Sequence, residues 1–187
     1  MARPKSEDRR NAIVAAAIEV ISRDGLGAAT ADIAKVAGIS NGSLFTYFAT
    51  KSDLLNHLYV ELKSEMATAA LEGLPEGEAR EQLRHMWLGW MRWAAASPNS
   101  RRALALLEVS DEVTAHSHRL AGQKLAGVRV VLERGRATGS MRDAPLSFAV
   151  TLMGAVADAT IDQMLDDPAN AETYSRAGFE AMWRIIA

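Results

Sequence analysis

The sequence of 187 residues contains no cysteine, five prolines, and few aromatic residues, which make up 6% of the chain. Without cysteine, the chain has no disulfide bond, no thiolate metal ligand and no thiol nucleophile. A run of about 18 uncharged apolar residues is also lacking, so we expect no membrane span. The charged N-terminus MARPKSEDRR is not followed by the apolar segment of a secretory signal. These absences favour a cytoplasmic protein.

The chain also lacks the basic excess that is common in nucleic-acid-binding proteins, since its formal net charge is −2. Residues 1–60 hold seven basic against six acidic residues, which gives +1, and the remainder holds fourteen against seventeen, which gives −3. We predict a disordered basic arm over residues 1–9, and Arg3, Lys5, Arg9 and Arg10 lie in it or next to it. The asymmetry is small, so charge alone does not indicate DNA as a partner.

Apolar residues recur at helical spacing along the whole chain, and no segment shows sustained alternation of apolar and polar residues. The pattern predicts an all-α fold of about nine helices. The first helix begins at Arg10, one long helix covers roughly 113–137, and the last two cover about 145–165 and 172–187. We divide the chain into an N-terminal helix-turn-helix domain, residues 1–50, and a helical ligand-binding and dimerisation domain, residues 51–187.

The stretch from Thr30 to Lys51 predicts two short helices joined by a tight turn. Gly38 ends the first helix and Ser40 is a good N-cap for the second. The second helix carries Leu44 and Phe48 inward. Its outer face has no acidic residue and consists of Asn41, Gly42, Ser43, Phe45, Thr46 and Tyr47. A short, polar and aromatic face of this kind suits base edges and phosphates of DNA.

Four segments of the N-terminal region together resemble the DNA-binding domain of tetracycline-repressor (TetR) family regulators. They are IVAAAIEVISRDG from Ile13, DIAKVAGIS from Asp32, GSLFTYF from Gly42, and KSDLL from Lys51. The resemblance implies a homodimer that places two recognition helices in successive major grooves of a pseudo-palindromic operator. It also implies an effector pocket among the C-terminal helices. The DNA-facing positions that it implies are Ser40, Asn41, Gly42, Ser43, Phe45, Thr46, Tyr47 and Lys51.

Several of these positions depart from what is common in the family. The family often has Lys where Asn41 stands, Tyr where Phe45 and Thr46 stand, and His where Tyr47 stands. Ala28 replaces a common Thr, which is expected to remove a phosphate contact. Asn41 offers amide groups to an adenine or a phosphate, and Lys51 adds a cation beside a helix N-terminus.

The last two predicted helices each carry two apolar stripes, whereas a surface helix needs only one. Two stripes predict either a central place in the core of the protomer or a second partner. We favour a helical hairpin that pairs with its copy in a four-helix bundle. The residues assigned to the dimer interface are Val150, Met153, Ala157, Ile161, Tyr174, Gly178, Ala181 and Ile185. The other stripe of the first of these helices contains Phe148, Leu152, Ala155 and Ala159.

Methionine and tryptophan residues at helical spacing indicate either plain core or the lining of an apolar ligand pocket. The candidate lining consists of Met66, Met86, Trp87, Trp90 and Met91. His116 and His118 point apart on a helix, so we expect no metal site, and nothing indicates a cofactor.

We therefore predict a ligand-responsive transcriptional regulator, most simply a repressor that a small, largely apolar molecule releases from its operator. The alternative is a helical dimerisation and small-molecule-binding module whose DNA binding is degenerate. An enzyme would need an activated nucleophile, paired carboxylates or a metal cluster, and none stands out in the sequence.

Overall fold

In a computed structural model that describes residues 5–187, the chain forms ten α-helices and one 3₁₀ turn. The first four helices are α1 (Lys5–Asp24), α2 (Thr30–Val36), α3 (Asn41–Tyr47) and α4 (Lys51–Leu71). They are followed by α5 (Ala79–Ala96), α6 (Pro98–Glu108), α7 (Ala115–Lys124) and α8 (Ala126–Arg136). The chain ends with α9 (Leu146–Asp166), the 3₁₀ turn Pro168–Asn170 and α10 (Ala171–Ile186). The predicted all-α class is confirmed.

The predictions for two helices are wrong: one starts earlier, and one is interrupted. Helix α1 begins at Lys5 and not at Arg10, because Glu7 and Asp8 lie in its first turn, where carboxylates favour helix formation. The predicted arm is therefore helical from Lys5 onward, and its Arg3 lies outside the described residues. The long helix predicted near 113–137 is two helices, since Leu125 has φ −89° and ψ 8°, which interrupts the α-helical conformation.

The Cα positions divide the chain into two compact units. The first unit comprises the described residues through Lys63 together with Asn99–Gln123, and the second comprises Ser64–Pro98 together with Lys124–Ala187. Helix α4 therefore contributes to both units. The functional division into residues 1–50 and 51–187 stays a prediction; by compactness, the first unit extends past residue 50 and includes most of α6 and α7.

The second unit is built around an apolar core to which α5, α8, α9 and α10 contribute. Small residues let these helices come close together. A Cβ on Gly178 would lie 2.2 Å from Thr160 Oγ1 and 2.9 Å from the Trp87 ring, so α10 approaches α9 and α5 closely at this point. A Cβ on Gly89 would lie 2.1 Å from the Ala69 carbonyl oxygen of α4. Gly178, which was assigned to the dimer interface, thus makes its close contact within the protomer.

Helix α9 differs from the others in its exposed apolar surface. Its most apolar 18-residue window has a mean hydropathy of 1.2, and 22% of that window is buried. By length and composition alone it is the one helix of the described chain that could cross a membrane. Three aspartates along it, Asp158, Asp162 and Asp166, oppose burial in lipid.

Candidate nucleic-acid interface

The turn between α2 and α3 is fixed by backbone hydrogen bonds. Gly38 adopts a left-handed conformation with φ +69°, which a residue with a side chain rarely takes. Ile39 N–H donates to the Ala34 carbonyl at 3.0 Å, and Gly38 N–H donates to the Lys35 carbonyl at 3.2 Å. This pair of bonds is a Schellman motif, which ends one helix and redirects the chain within a few residues. The turn predicted from Gly38 is therefore present.

Helix α3 begins at a side-chain cap and is held by two apolar anchors. Ser40 Oγ accepts a hydrogen bond from the Ser43 N–H at 3.1 Å, as predicted for an N-cap. Leu44 is fully buried and Phe48 is 3% exposed. These three residues orient a seven-residue helix so that its opposite face is exposed.

The residues predicted to face DNA lie on this outer surface. Ser40, Asn41, Gly42, Ser43, Phe45 and Thr46 are exposed, whereas Tyr47 and Lys51 are half-buried. Phe45 keeps 40% of its surface accessible, so its ring is available for an apolar contact. Thr46 Oγ1 donates to the Ser43 carbonyl at 2.7 Å, so its hydroxyl proton is already used and only its lone pairs remain for a ligand.

Helix α4 starts with a reciprocal cap immediately after α3. Thr50 N–H donates to the Asp53 carboxylate at 3.0 Å, and Asp53 N–H donates to Thr50 Oγ1 at 3.0 Å. The Thr-x-x-Asp spacing is the sequence signature of such a capping box. The box places Lys51 in the first turn of α4, where the helix dipole favours an anion such as a phosphate.

A cluster that the sequence did not reveal joins α1, the end of α3 and α4. The Arg10 guanidinium lies 5.1 Å from the centre of the Phe48 ring, and the His57 ring centre lies 5.4 Å from that of Phe48. His57 Nε2 is 2.9 Å from the Glu61 carboxylate, and this contact lowers the pKa of Glu61. The Glu61–His57 spacing of four residues was the available signal. Arg10 thus packs on the residue that ends the candidate recognition helix.

Helix α2, by contrast, begins without a side-chain cap. Ala29 occupies its N-cap position, with φ −74° and ψ 143°, and has no side-chain oxygen to offer. The Asp32 N–H, which corresponds to the Ser43 N–H of α3, donates to the Ala29 carbonyl at 3.0 Å and has no side-chain partner.

The candidate ligand residues are packed in the protomer. Met66, Met86, Trp87 and Met91 are buried, and Trp90 is half-buried against the core of the second unit. The Trp87 indole N–H donates to the Ser175 carbonyl at 2.9 Å, and its ring meets Phe179 edge-on at 6.3 Å. Their role as a pocket lining stays a prediction.

A cleft of about 430 Å³ opens elsewhere in the second unit. It is lined by Ser64, Ala67, Thr68, Leu71, Glu72 and Lys124, none of which was predicted. Within residues 5–187, no group of three or more histidine and carboxylate side chains is placed to hold a metal ion.

The two apolar stripes of α9 have different environments. Ala157 and Ile161, which were assigned to the dimer interface, are 0% and 1% exposed within the protomer, so they have no surface left for a partner. The other stripe is accessible: Phe148 is 51% exposed, and Ala155 and Ala159 are also exposed. The remaining assigned residues are half-buried, except the exposed Ala181; they are Val150, Met153, Tyr174, Gly178 and Ile185.

This arrangement coincides with a known family of regulators. The family described as “Bacterial regulatory proteins, tetR family” matches residues 13–58, which include all of α2 and α3 and the start of α4. The chain is also 29% identical over 175 residues to the HTH-type transcriptional regulator BetI of Escherichia coli O157:H7, covering 76% of this chain and 90% of BetI. Residues 13–58 form a tetR-family DNA-binding domain. The chain is accordingly a DNA-binding transcriptional regulator, and every residue assigned to the DNA-facing surface lies in the matched segment.

Solved structures of transcriptional regulators share the fold over almost the whole chain. A structure from Shewanella sp. PV-4 assigned to the tetR family has a TM-score of 0.87 and 24% identity, covering 96% of this chain and 98% of that one. The transcriptional regulator FadR from Bacillus subtilis, in complex with stearoyl-CoA, has a TM-score of 0.71 and 20% identity, covering 92% and 96%. These likenesses establish a common fold of an N-terminal helix-turn-helix and a helical C-terminal part.

Proposed function

We propose that the chain is a ligand-responsive repressor that acts in the cytoplasm and binds a pseudo-palindromic operator as a homodimer. The observation that carries this proposal is the outer face of α3. That face is exposed, has no acidic residue, and is oriented by the buried Leu44 and Phe48. An α-helix with such a face fits the major groove of B-DNA, where base edges present donors and acceptors.

The side chains on this face differ in what they offer to DNA. Gly42 has no side chain, so the backbone can approach the bases there. Asn41 offers an amide to an adenine edge, and Phe45 offers an apolar surface to a thymine methyl group. Ser43, Tyr47 and Lys51 supply hydroxyl and ammonium groups for phosphates, which set the register of the helix without reading sequence. Thr46 binds a phosphate only if its hydroxyl proton leaves the Ser43 carbonyl; otherwise its lone pairs accept from a base amino group. Ser40 acts chiefly as the cap of α3.

The exposed stripe of α9 supports a dimer. We assign the contact to the accessible stripe formed by Phe148, Leu152, Ala155 and Ala159, together with Ala181 of α10, and we withdraw Ala157 and Ile161 from it. Exposed apolar surface of this length is unfavourable in water, and a second copy of the same hairpin would cover it. A two-fold dimer would then place its recognition helices about 34 Å apart, one turn of DNA.

The core of the second unit supports an apolar effector. Met66, Met86 and Met91 are unbranched and flexible, so they can move aside for a ligand more readily than branched side chains. Two buried polar atoms of the described chain, Trp93 Nε1 and Ser175 Oγ, have no hydrogen-bond partner. A polar group on the ligand would satisfy them, since a buried atom without a partner is costly. The stearoyl-CoA complex of FadR shows that a protein of this fold binds a ligand with a long apolar part.

Release requires only a modest difference in ligand affinity between two states. A hundredfold loss of operator affinity corresponds to about 2.7 kcal/mol. Ligand binding would supply it by favouring a dimer in which α4 is tilted and the two recognition helices are no longer one DNA turn apart.

A footprint on the DNA upstream of the chain's own gene tests this function. Two protected half-sites about one helical turn apart support the homodimer on its operator. Adding stearoyl-CoA as the probe should change the tryptophan fluorescence, because all four tryptophans lie in the second unit, and should remove the footprint. Weak protection of all DNA without preference would instead favour the degenerate module. A footprint unaffected by a ligand that does alter the fluorescence would contradict release.

A further inference from the structure

Three side chains on one face of α4 make polar contacts with the segment between the end of α6 and the middle of α7. Asn56, Tyr59 and Lys63 are spaced i, i+3 and i+7, which places them on the same side of the helix. Lys63 pairs with Glu108 of α6, and the Tyr59 hydroxyl lies 3.0 Å from His118 Nδ1 of α7. All of these residues belong to the first unit, which also contains α3.

Asn56 makes the most specific of these contacts. Its Nδ2 donates to the Glu112 carbonyl at 2.8 Å, and its Oδ1 accepts from the Thr114 N–H at 2.8 Å. The planar amide therefore pairs with the backbone of the turn between α6 and α7, as the peptide group of a neighbouring strand would. Among uncharged side chains, only those of asparagine and glutamine carry a donor and an acceptor side by side on a planar amide.

The same amide is tied to both helices that it joins. Asn56 Nδ2 also donates to the Ser52 carbonyl at 2.8 Å, in the first turn of α4. On the other side, Thr114 caps α7, since its Oγ1 accepts from the Ser117 N–H at 3.3 Å. Only three residues separate Ser52 from Phe48, which ends the recognition helix. A displacement of the turn would therefore be transmitted through one side chain to the first turn of α4.

We propose that Asn56 is a positioning residue for DNA recognition: by holding the 112–114 turn to the first turn of α4, it sets the orientation in which α3 meets the operator. Asn56 touches no base or phosphate in this account and acts through α4. The contact between Asn56 and the 112–114 turn is half-exposed and polar. Water can therefore replace its hydrogen bonds, and the turn can separate from α4 without disturbing the apolar core. The inference rests on the proposed recognition of an operator by α3.

The test uses the full chain with Asn56→Asp, which keeps the shape of the side chain but replaces its donor with a second acceptor facing the Glu112 carbonyl. We expect affinity for DNA from the gene's own upstream region to fall at least tenfold. Affinity for a shuffled duplex should stay within twofold, because the phosphate-facing groups are unchanged. The matched control is Asn99→Asp, an exposed position in the same unit with the same change of charge, and it should bind as the original chain does. Equal loss on both duplexes, or no loss, overturns the role of Asn56.

Hydrogen exchange of the Thr114 amide in the unaltered chain gives a second measurement that needs no variant. We expect this N–H to exchange more slowly when the chain is bound to its upstream DNA than when it is alone, because DNA binding favours the state in which the Thr114 N–H donates to Asn56 Oδ1. Equal exchange in both states overturns the inference even if Asn56→Asp fails to fold. If the unaltered chain shows no preference for its upstream DNA, the proposed function fails and this inference fails with it. If it shows that preference while Asn56→Asp binds equally well, only the inference fails.

Discussion

Replacing Lys51 with glutamine removes a positive charge from the first turn of α4 without removing the contacts that start this helix. The cap is made by Thr50 and Asp53, through two hydrogen bonds of 3.0 Å that do not involve the Lys51 side chain. Glutamine is also nearly as good a helix former as lysine. A change in DNA binding would therefore report the lost charge and not a frayed helix.

The size of the effect follows from the counterions that bound protein displaces from DNA. Each phosphate neutralised by a protein cation contributes about −0.9 to the slope of log K against log salt concentration. A homodimer carries two copies of Lys51, so the slope for Lys51→Gln should be shallower by about 1.8. Between about 50 mM and about 200 mM salt, the ratio of the two affinities should then shrink by roughly tenfold.

Fluorescence anisotropy with a labelled duplex, measured over a series of salt concentrations, gives both slopes. Lys124→Gln is the matched control, because it makes the same change of charge in the second unit and should keep the original slope. Parallel slopes for Lys51→Gln and the unaltered chain would refute a phosphate contact by Lys51. A shallower slope for both variants would show that net charge, and not this position, is responsible.

Three further predictions concern stability, assembly and pH. Ala29→Ser should stabilise the chain by about 1 kcal/mol in urea unfolding, because it supplies the missing cap of α2; no gain would mean that this helix end is already satisfied. Phe148→Asp should convert dimers to monomers in analytical ultracentrifugation, because it places a charge in the 51% exposed apolar stripe, and a persistent dimer would place the interface elsewhere. Glu61→Gln should make the free energy of unfolding depend less on pH in the acid range. The pKa of Glu61 is lowered by His57, so its contribution is present above the ordinary carboxyl pKa of about 4.3 and is lost as pH falls through the folded value. Urea midpoints between about pH 3 and pH 6 that run parallel for both proteins would contradict this.

The helix-turn-helix could be predicted because its determinants are local. The Schellman turn at Gly38, the cap at Ser40 and the capping box from Thr50 to Asp53 each depend on residues within five positions of one another. Local caps and turns of this kind can be predicted from the residue types alone. The same features carry the resemblance to the tetR family that the comparisons confirm.

Other parts of the site depend on partners that are distant in sequence. Asn56 pairs with residues 56 and 58 positions away, and Trp87 donates to a carbonyl 88 positions away. Periodicity showed that α9 has two apolar stripes but not which one the protomer buries, so Ala157 and Ile161 were assigned to the wrong surface. The choice between the stripes is made by Gly178 of α10, which approaches α9 closely, and by the core of the second unit, and neither can be seen in the sequence of α9 alone.

The central claim is that the exposed face of α3 reads a specific DNA sequence. The direct measurement is the affinity of the chain for a duplex from its own upstream region and for a shuffled duplex of the same base composition, at one salt concentration near physiological. The upstream duplex should bind at least about a thousandfold more tightly. Equal affinity for the two duplexes would contradict the claim.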